Sequence, residues 1–528
     1  MPLNALYKKL SAHPDRRLRV MTRDGKLLVK SYSEVRTDVE QLMSDLRDCD
    51  LGAGDLVGVL GPNSYEWAVA DLALLGLGCV SVAVPTEPSN RPVDIRGISE
   101  RYQLSAVLVT GPLRVDGDLP PEAAVLGDGR STLRKRIVAD PPSLPEEVFT
   151  IAFSSGTAGT TKGLMVSQLG ISNTIQQTGL AWEVTPDDDV LIAMPFSSLQ
   201  QRVMLYVAIW FGFDATVVAP ERMFQKLRDL APTIILGPPS FFEIVETRLR
   251  AASAREALPR HLAAALHLVP GDASLRLRQR LGRRWTDIYG RRARLLLTGS
   301  APVSPRLVAL FHQLGRPLYE IYGCTEVGWV TSNLPGAYRI GTAGRPVKGV
   351  EVTIGSDDEI LVDARCPQVL GYVFDGVETQ DAVFRPDGTI ATGDLGHLDG
   401  DGYLQLVGRK KNVIVTRSGV KINPEELEHD IEASCQVKKA VVVSNGHGSS
   451  LSCVVWLDEW QEAERVQAIE TYISNANAKK DSAHKISNVV FRPDQELTPE
   501  TGLLTRNLKV DRNAVMQKVF ADGERVAQ

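Results

Sequence analysis

The sequence predicts an α/β protein with a large N-terminal domain and a smaller α+β C-terminal domain. The N-terminal part reads as layered, mostly parallel sheets with helices, plus a small β subdomain. Three observations carry this. The chain has 528 residues, whereas single hydrophobic cores stop growing near ~250–300 residues. Short apolar, β-branched runs recur between amphipathic stretches up to about residue 400. The texture then changes twice, at Ile340 and again after Arg409.

The runs are LVGVLG (56–61), SAVLVTG (105–111), VLIAMP (190–195), ATVVAP (215–220), TIILGP (233–238) and RLLLTGS (294–300). Each ends in Gly, Pro or Ser, as buried strands do where they deliver a loop. Strands alternating with helices imply parallel sheets, whose ligands lie beyond the carboxyl ends of the strands. Residues 67–85, WAVADLALLGLGCVSVAVP, are nearly uncharged, but Asp71 and the Gly and Pro positions break the run. A membrane-spanning helix needs ~20 predominantly apolar residues, so this stretch reads as a buried helix running into a buried strand. From Ile340 to about residue 405, alternation such as VEVTIGSDDEILVDA predicts a small antiparallel subdomain. Beyond Arg409, PEELEHDIEAS reads as a helix, KKAVVVSN and LSCVVWLD as strands, and residues 460–480 as a long polar helix. The domains expected are therefore 1–409 and 410–528.

A hydrophobic fraction of 43% with 23% charged residues is that of an ordinary globular protein. The net charge of -5 supplies no basic field, so a nucleic-acid partner is not expected. Cys49, Cys79, Cys324, Cys366, Cys435 and Cys453 form no C-x-x-C pair and no zinc-spaced cluster. Reduced thiols in a cytoplasmic protein are the expectation. The first residues, MPLNALYKKLSAHPDRR, lack the apolar core of a secretory signal.

The most informative segment follows the strand-like run FTIAF. Phe153-Ser154-Ser155-Gly156-Thr157-Ala158-Gly159-Thr160-Thr161-Lys162-Gly163 offers five hydroxyls, three glycines and a lysine. Glycines let backbone amides approach an anion, hydroxyls add donors, and the lysine adds a point charge. This is an inventory for gripping a polyphosphate. The Walker pattern requires Gly before the Lys and Ser or Thr after it. Thr161 and Gly163 stand there instead, so the loop is of another type. The apolar runs on both sides argue against a flexible linker.

Here the chain resembles the adenylate-forming superfamily of acyl-CoA synthetases, peptide-synthetase adenylation domains and luciferases, whose Ser/Thr/Gly-rich loop closes on Pro-Lys-Gly. Thr161 replaces the usual proline. The resemblance continues in order along essentially the whole chain. Tyr319-Glu320-Ile321-Tyr322-Gly323-Cys324-Thr325-Glu326 is similar to the family's Y-G-x-T-E motif. Tyr322 offers a flat face for adenine, Thr325 a donor to the α-phosphate, and Glu326 a hard oxygen ligand for Mg²⁺, with Thr157 as a second metal ligand. Leu297-Thr298-Gly299-Ser300-Ala301-Pro302 resembles the loop flanking the adenine and the acyl pocket. Asp394, in Ala391-Thr392-Gly393-Asp394, and Arg409 match the family's pair for the ribose hydroxyls. Lys411 matches the hinge on which a mobile C-terminal domain turns. Gly419 lies in the segment resembling the loop that enters the site for the second half-reaction, the acceptor channel. Lys509, in Leu504-Thr505-Arg506-Asn507-Leu508-Lys509, matches the mobile catalytic lysine. Such a lysine neutralises charge as a carboxylate attacks the α-phosphate. Asn507-Leu508 in place of Ser-Gly leans towards the long-chain acyl-CoA synthetase branch.

The resemblance implies that MgATP and a carboxylic acid give acyl-AMP and pyrophosphate, followed by acyl transfer. Coenzyme A is the expected acceptor. The alternatives are an amine such as an amino acid, or a carrier protein, which would not be part of this chain because it ends soon after Lys509. One departure bears on the acid: many relatives have an aromatic or histidine where Ser198 stands, and Gln168 also replaces a histidine. Phe241, Phe242, Val327 and Trp329 are candidate walls of the acyl pocket, although large apolar residues are more often plain core. A non-catalytic nucleotide sensor would be free to lose Lys509, Glu326 or Asp394, and all three are present. Kinase H-R-D and D-F-G strings are absent.

Overall fold

The computed structural model describes residues 3–22, 24–85, 92–111, 113–126, 133–155, 161–256, 289–374, 380–416, 420–435, 437, 439–445, 450–457, 463–481, 484–498, 501–504 and 510–520. Two large sheets form the N-terminal part. One has nine strands, in spatial order Arg345–Pro346, Gly328–Ser332, Leu318–Cys324, Leu295–Thr298, Ile234–Gly237, Asp189–Ile192, Asp214–Val217, Arg17–Met21 and Leu27–Ser31. Its six central strands pair in parallel, and antiparallel strands close both edges. The other has seven, in the order Val369–Val373, Thr161–Ser167, Val148–Ser155, Val80–Ala83, Leu56–Leu60, Ala106–Val109 and Ala123–Val125. All six apolar runs lie in these sheets, as the sequence predicts.

Leu56–Leu60 is buried at every position, because helices cover both faces of a parallel sheet. Alternate residues of one strand serve different cores. Leu295 and Leu297 join the large core that links the two sheets, while Leu296 points into a second core on the far face. Helices Tyr65–Leu77, Gln168–Ala181 and Leu199–Phe211 contribute to the large core. Tyr65–Leu77 starts where the Ser64 hydroxyl accepts a hydrogen bond from the Trp67 amide, and it stops at Gly78 in a left-handed conformation. Strand Val80–Ala83 follows, so residues 67–85 are helix then strand as expected. Among the described residues no helix is long and apolar enough to cross a membrane. The buried Asp71 of this helix pairs with the equally buried Arg202 at 3.0 Å.

The small subdomain is a four-stranded antiparallel sheet of Val350–Ile354, Glu359–Ala364, Ile390–Leu398 and Leu404–Arg409. One correction follows. Val369–Val373 falls inside the expected 340–405 span but leaves the subdomain and pairs with Thr161–Ser167 in the seven-stranded sheet. Its residues are buried nearly throughout rather than alternately, which suits a two-sided sheet and not a half-exposed subdomain.

The C-terminal part is a smaller α+β unit. Strands Lys439–Asn445, Ser450–Leu457 and Ile486–Pro493 form its sheet. Helices Pro424–Cys435 and Ala463–Ala478 share one of its cores, and Val515 and Val519 sit in the other.

Candidate active site

Two antiparallel strands flank the expected phosphate loop. Strand Val148–Ser155 runs up and Thr161–Ser167 returns, with Ser154 opposite Lys162 and Ser155 opposite Thr161. Gly156, Thr157, Gly159 and Thr160 lie outside the described residues. Gly163 explains the Lys-Gly closure of the motif: a Cβ there would stand 2.5 Å from the Val373 carbonyl oxygen, on the neighbouring strand. Glycine lets that strand approach. The Lys162 ammonium lies 4.6 Å from the centroid of the Tyr372 ring.

The Tyr-Gly-x-Thr-Glu segment forms a hairpin, of strands Leu318–Cys324 and Gly328–Ser332. A Cβ on Gly323 would meet the Gly328 carbonyl oxygen at 2.1 Å, so the turn requires glycine there. The Tyr322 hydroxyl donates to Asp394 Oδ2 at 2.8 Å, and Arg409 Nε reaches Asp394 Oδ1 at 2.6 Å. Burial first, then the Asp394 charge, pushes the Tyr322 phenol far above its ordinary range. The Asp394 carboxylate is thus held from both sides, and its Arg409 partner is about half exposed. Between these strands, the Thr325 carbonyl accepts from Gln368 Nε2 at 3.2 Å, and the Glu326 carbonyl accepts from the Val369 amide at 3.0 Å. The Glu326 carboxylate accepts from the Tyr372 hydroxyl at 3.0 Å. Burial and, next, the Glu326 charge raise the Tyr372 phenol well above its usual value.

Gly299, Ser300 and Ala301 follow the strand Leu295–Thr298. Gly299 is pressed against the strand carrying Tyr322: a Cβ would come within 2.8 Å of the Ile321 carbonyl oxygen. Ser300 takes a left-handed φ of 68°, a strain of ~1 kcal/mol for a non-glycine residue. Its hydroxyl donates to Gln200 Oε1 at 3.1 Å. Gln200 is the second residue of the helix Leu199–Phe211, whose N-cap is the Ser198 that replaces the expected histidine.

Among the described residues no group of three or more His, Cys, Asp or Glu is arranged to hold a metal. A magnesium ion nonetheless fits at Glu326, because Mg²⁺ typically takes one or two carboxylates and completes its shell with phosphate oxygens and water. Glu326 is a half-buried hard-oxygen donor on the same tyrosine as the phosphate-loop lysine.

Arg409 ends the last subdomain strand, and Lys411 follows in a 3₁₀ turn, Lys410–Asn412. Burial, and then the Arg409 charge, lower the Lys411 ammonium below its ordinary value. Gly419 and Lys509 lie outside the described residues. Arg512, three positions on, is anchored to Glu425 at 3.2 Å and to Glu428 at 2.7 Å on the helix Pro424–Cys435.

The sequence model of the AMP-binding enzyme family matches residues 7–371, and that of the AMP-binding enzyme C-terminal domain matches residues 411–519. The chain belongs to the AMP-binding enzyme family. It is an adenylate-forming ligase. Among similar proteins, a long-chain-fatty-acid–CoA ligase, FadD15 of Mycobacterium tuberculosis, is 26% identical over 95% of this chain and 93% of its own. The adenylation domain of a carboxylate reductase from Mycobacterium chelonae superposes with a TM-score of 0.74 at 23% identity, covering 100% of this chain and 91% of that one. The amide bond synthetase McbA of Marinactinospora thermotolerans gives 0.71 at 19% identity, covering 98% and 99%. These two likenesses concern the fold.

Within this AMP-binding enzyme, the structure gathers Tyr322, Asp394 and Arg409 in one contact chain, and Glu326 and Lys162 on one tyrosine. It does not gather the four expected acyl-pocket residues. Phe241 and Phe242 pack edge to face with each other, and Phe242 packs likewise on Phe311, in the core on the far face of the nine-stranded sheet. Trp329 belongs to the large inter-sheet core beside Trp182 at 5.8 Å, and Val327 to the subdomain core. Sequence reading missed Tyr372, Gln368 and Gln200. Tyr372 lies in the strand Val369–Val373 and Gln368 immediately before it, both inside the span assigned to the subdomain, and nothing local marks them as neighbours of Lys162.

Proposed function

We propose that this enzyme is an acyl-CoA ligase that activates a medium- or long-chain or alicyclic carboxylic acid. The observation carrying the reading is the convergence of the two motif strand pairs, with Asp394 bridging Tyr322 and Arg409. In this reading Ser154, Ser155, Gly156, Thr157, Gly159, Thr160 and Lys162 grip the β- and γ-phosphates. Tyr322 and the Gly299-Ser300-Ala301 loop flank adenine, Gly323 shapes the turn, and Asp394 with Arg409 takes the ribose hydroxyls. Thr325 donates to the α-phosphate. Glu326, with Thr157, is the ligand set for Mg²⁺, which supplies charge neutralisation to the phosphates when bound.

The acid's carboxylate oxygen attacks the α-phosphorus, the bond to the β-phosphate oxygen breaks, and pyrophosphate leaves. Lys509 balances the charge that develops at the α-phosphate. Positioning and charge supply most of the rate in such chemistry. The domains meet at residues 409 and 410. Rotation about Lys411 then withdraws Lys509 and brings Gly419 in. The coenzyme A sulfur attacks the acyl carbon, giving the thioester, and AMP departs with the bonding electrons. Support for the thiol acceptor comes from the similarity to FadD15, a long-chain-fatty-acid–CoA ligase by name. Work in the cytoplasm is part of the same reading.

The acceptor is tested by supplying preformed acyl-AMP to the purified enzyme with coenzyme A, with a mixture of amino acids, or with both. Thioester from the mixed incubation supports the reading. Amide in its place overturns the acceptor and leaves the adenylation reading standing.

A further inference from the structure

Tyr372 stands where the two motif strand pairs meet, and no motif reading gives it a role. Its strand is the physical link between them. On one side Tyr372 pairs with Leu164 and Val373 with Gly163, next to the phosphate-loop lysine. On the other, the Val369 amide and the Gln368 side chain hold the backbone of Glu326 and Thr325. The tyrosine is itself fixed. It is 4% exposed, its amide donates to Gln380 Oε1 at 3.0 Å, and Phe384 packs against its ring edge at 5.4 Å. From that position the hydroxyl reaches Glu326 Oε1 at 3.0 Å while the ring face lies 4.6 Å from Lys162 Nζ.

We propose that Tyr372 is a positioning residue for MgATP: its hydroxyl orients the Glu326 carboxylate towards the metal while its ring seats the Lys162 ammonium against the phosphates. The inference rests on the reading of this site as the MgATP site. The physical argument has two parts. A glutamate on a turn has three torsions before its oxygens, the last of which sets the plane of the carboxylate. A phenol that occupies one oxygen fixes the plane of the group and leaves the second oxygen available to the cation. A lysine stem is long and flexible, and a ring face beneath its ammonium narrows the positions it samples without neutralising it. One rigid side chain therefore sets the spacing between the metal carboxylate and the phosphate cation.

The two contacts separate by substitution in the full-length protein. Tyr372→Phe keeps the ring and removes the hydroxyl, whereas Tyr372→Leu removes both. The direct readout is Mn²⁺ binding, followed by electron paramagnetic resonance, in the presence of a non-hydrolysable ATP analogue. Tyr372→Phe should weaken Mn²⁺ binding about tenfold, the usual consequence of removing an outer partner of a metal ligand. Its binding of the metal-free analogue, measured by calorimetry with chelator present, should be unchanged. Tyr372→Leu should in addition weaken metal-free binding about fivefold, the scale of a lost cation–π contact. A double-mutant cycle with Glu326→Gln separates positioning from general damage: on that background Tyr372→Phe should cause no further loss of Mn²⁺ affinity. Wild-type Mn²⁺ affinity in Tyr372→Phe, or additive losses in the cycle, would overturn the proposal. If the wild-type protein itself does not bind the analogue with Mn²⁺, the MgATP reading fails and the proposal falls with it.

Discussion

Glu320 lies two residues before Tyr322 on the motif strand, and its buried carboxyl has no charged partner among the described residues. Its backbone carbonyl accepts from the Asn333 amide at 2.9 Å, while its side chain faces a narrow cavity lined by Val308, His312, Asn333, Tyr338 and Arg339. Arg339, which lines it, is committed to Asp399 and, at 2.6 Å, to Asp401. His312 Nε2 is taken up by the Leu318 carbonyl. Burial alone pushes the Glu320 carboxyl up to about 8 from an ordinary value of 4.5. The folded protein therefore keeps a proton that the unfolded chain releases near 4.5, and stability falls as pH rises from there to about 8, then levels. At ~1.36 kcal/mol per unit, the full loss is on the order of 5 kcal/mol, an upper figure because relaxation and water entry reduce it. Glu320→Gln is neutral throughout and removes this slope. The assay is urea unfolding followed by tryptophan fluorescence at pH 5 and pH 8.5. The variant should match the wild type at the lower pH and resist urea better at the higher. An equal pH slope in both proteins would refute the reasoning.

Arg202 and Asp71 form a fully buried pair, extended by Thr150 at 2.8 Å and by the Tyr206 hydroxyl. Arg202→Met should cost about 3–5 kcal/mol by leaving Asp71 buried without its counter-charge, read as a lowered unfolding midpoint, and Asp71→Asn in the same chain should restore part of it. Phe242 is 1% exposed and walled by aromatic neighbours. Phe242→Ala should destabilise by about 3–5 kcal/mol while the order of preference among acids stays the same. A changed preference would place Phe242 in the acyl site after all.

The strands were legible because buried parallel strands write continuous apolar runs, as at Leu56–Leu60. The identity of the motif residues was equally plain, since Gly163 and Gly323 stand where any Cβ would strike a backbone carbonyl. What the sequence concealed was non-local. Val369–Val373 has the composition of any strand, and only its pairing with Thr161–Ser167 places Tyr372 between Lys162 and Glu326. For the acyl pocket the signal is degenerate, because core and pocket use the same large apolar residues. Phe241, Phe242, Val327 and Trp329 divide among three cores.

The central claim is adenylation with Lys509 as the catalytic cation. The full chain is incubated with MgATP and a panel of carboxylic acids spanning chain lengths and ring types, with no acceptor present. Pyrophosphate release and acyl-AMP are followed by mass spectrometry beside a Lys509→Ala control. The account predicts that at least one acid yields acyl-AMP and pyrophosphate in equal amounts, and that Lys509→Ala still binds ATP but forms acyl-AMP at least 100-fold more slowly, roughly the loss of a transition-state charge contact. Acyl-AMP formed equally well by Lys509→Ala, or by neither protein with any acid, would contradict it.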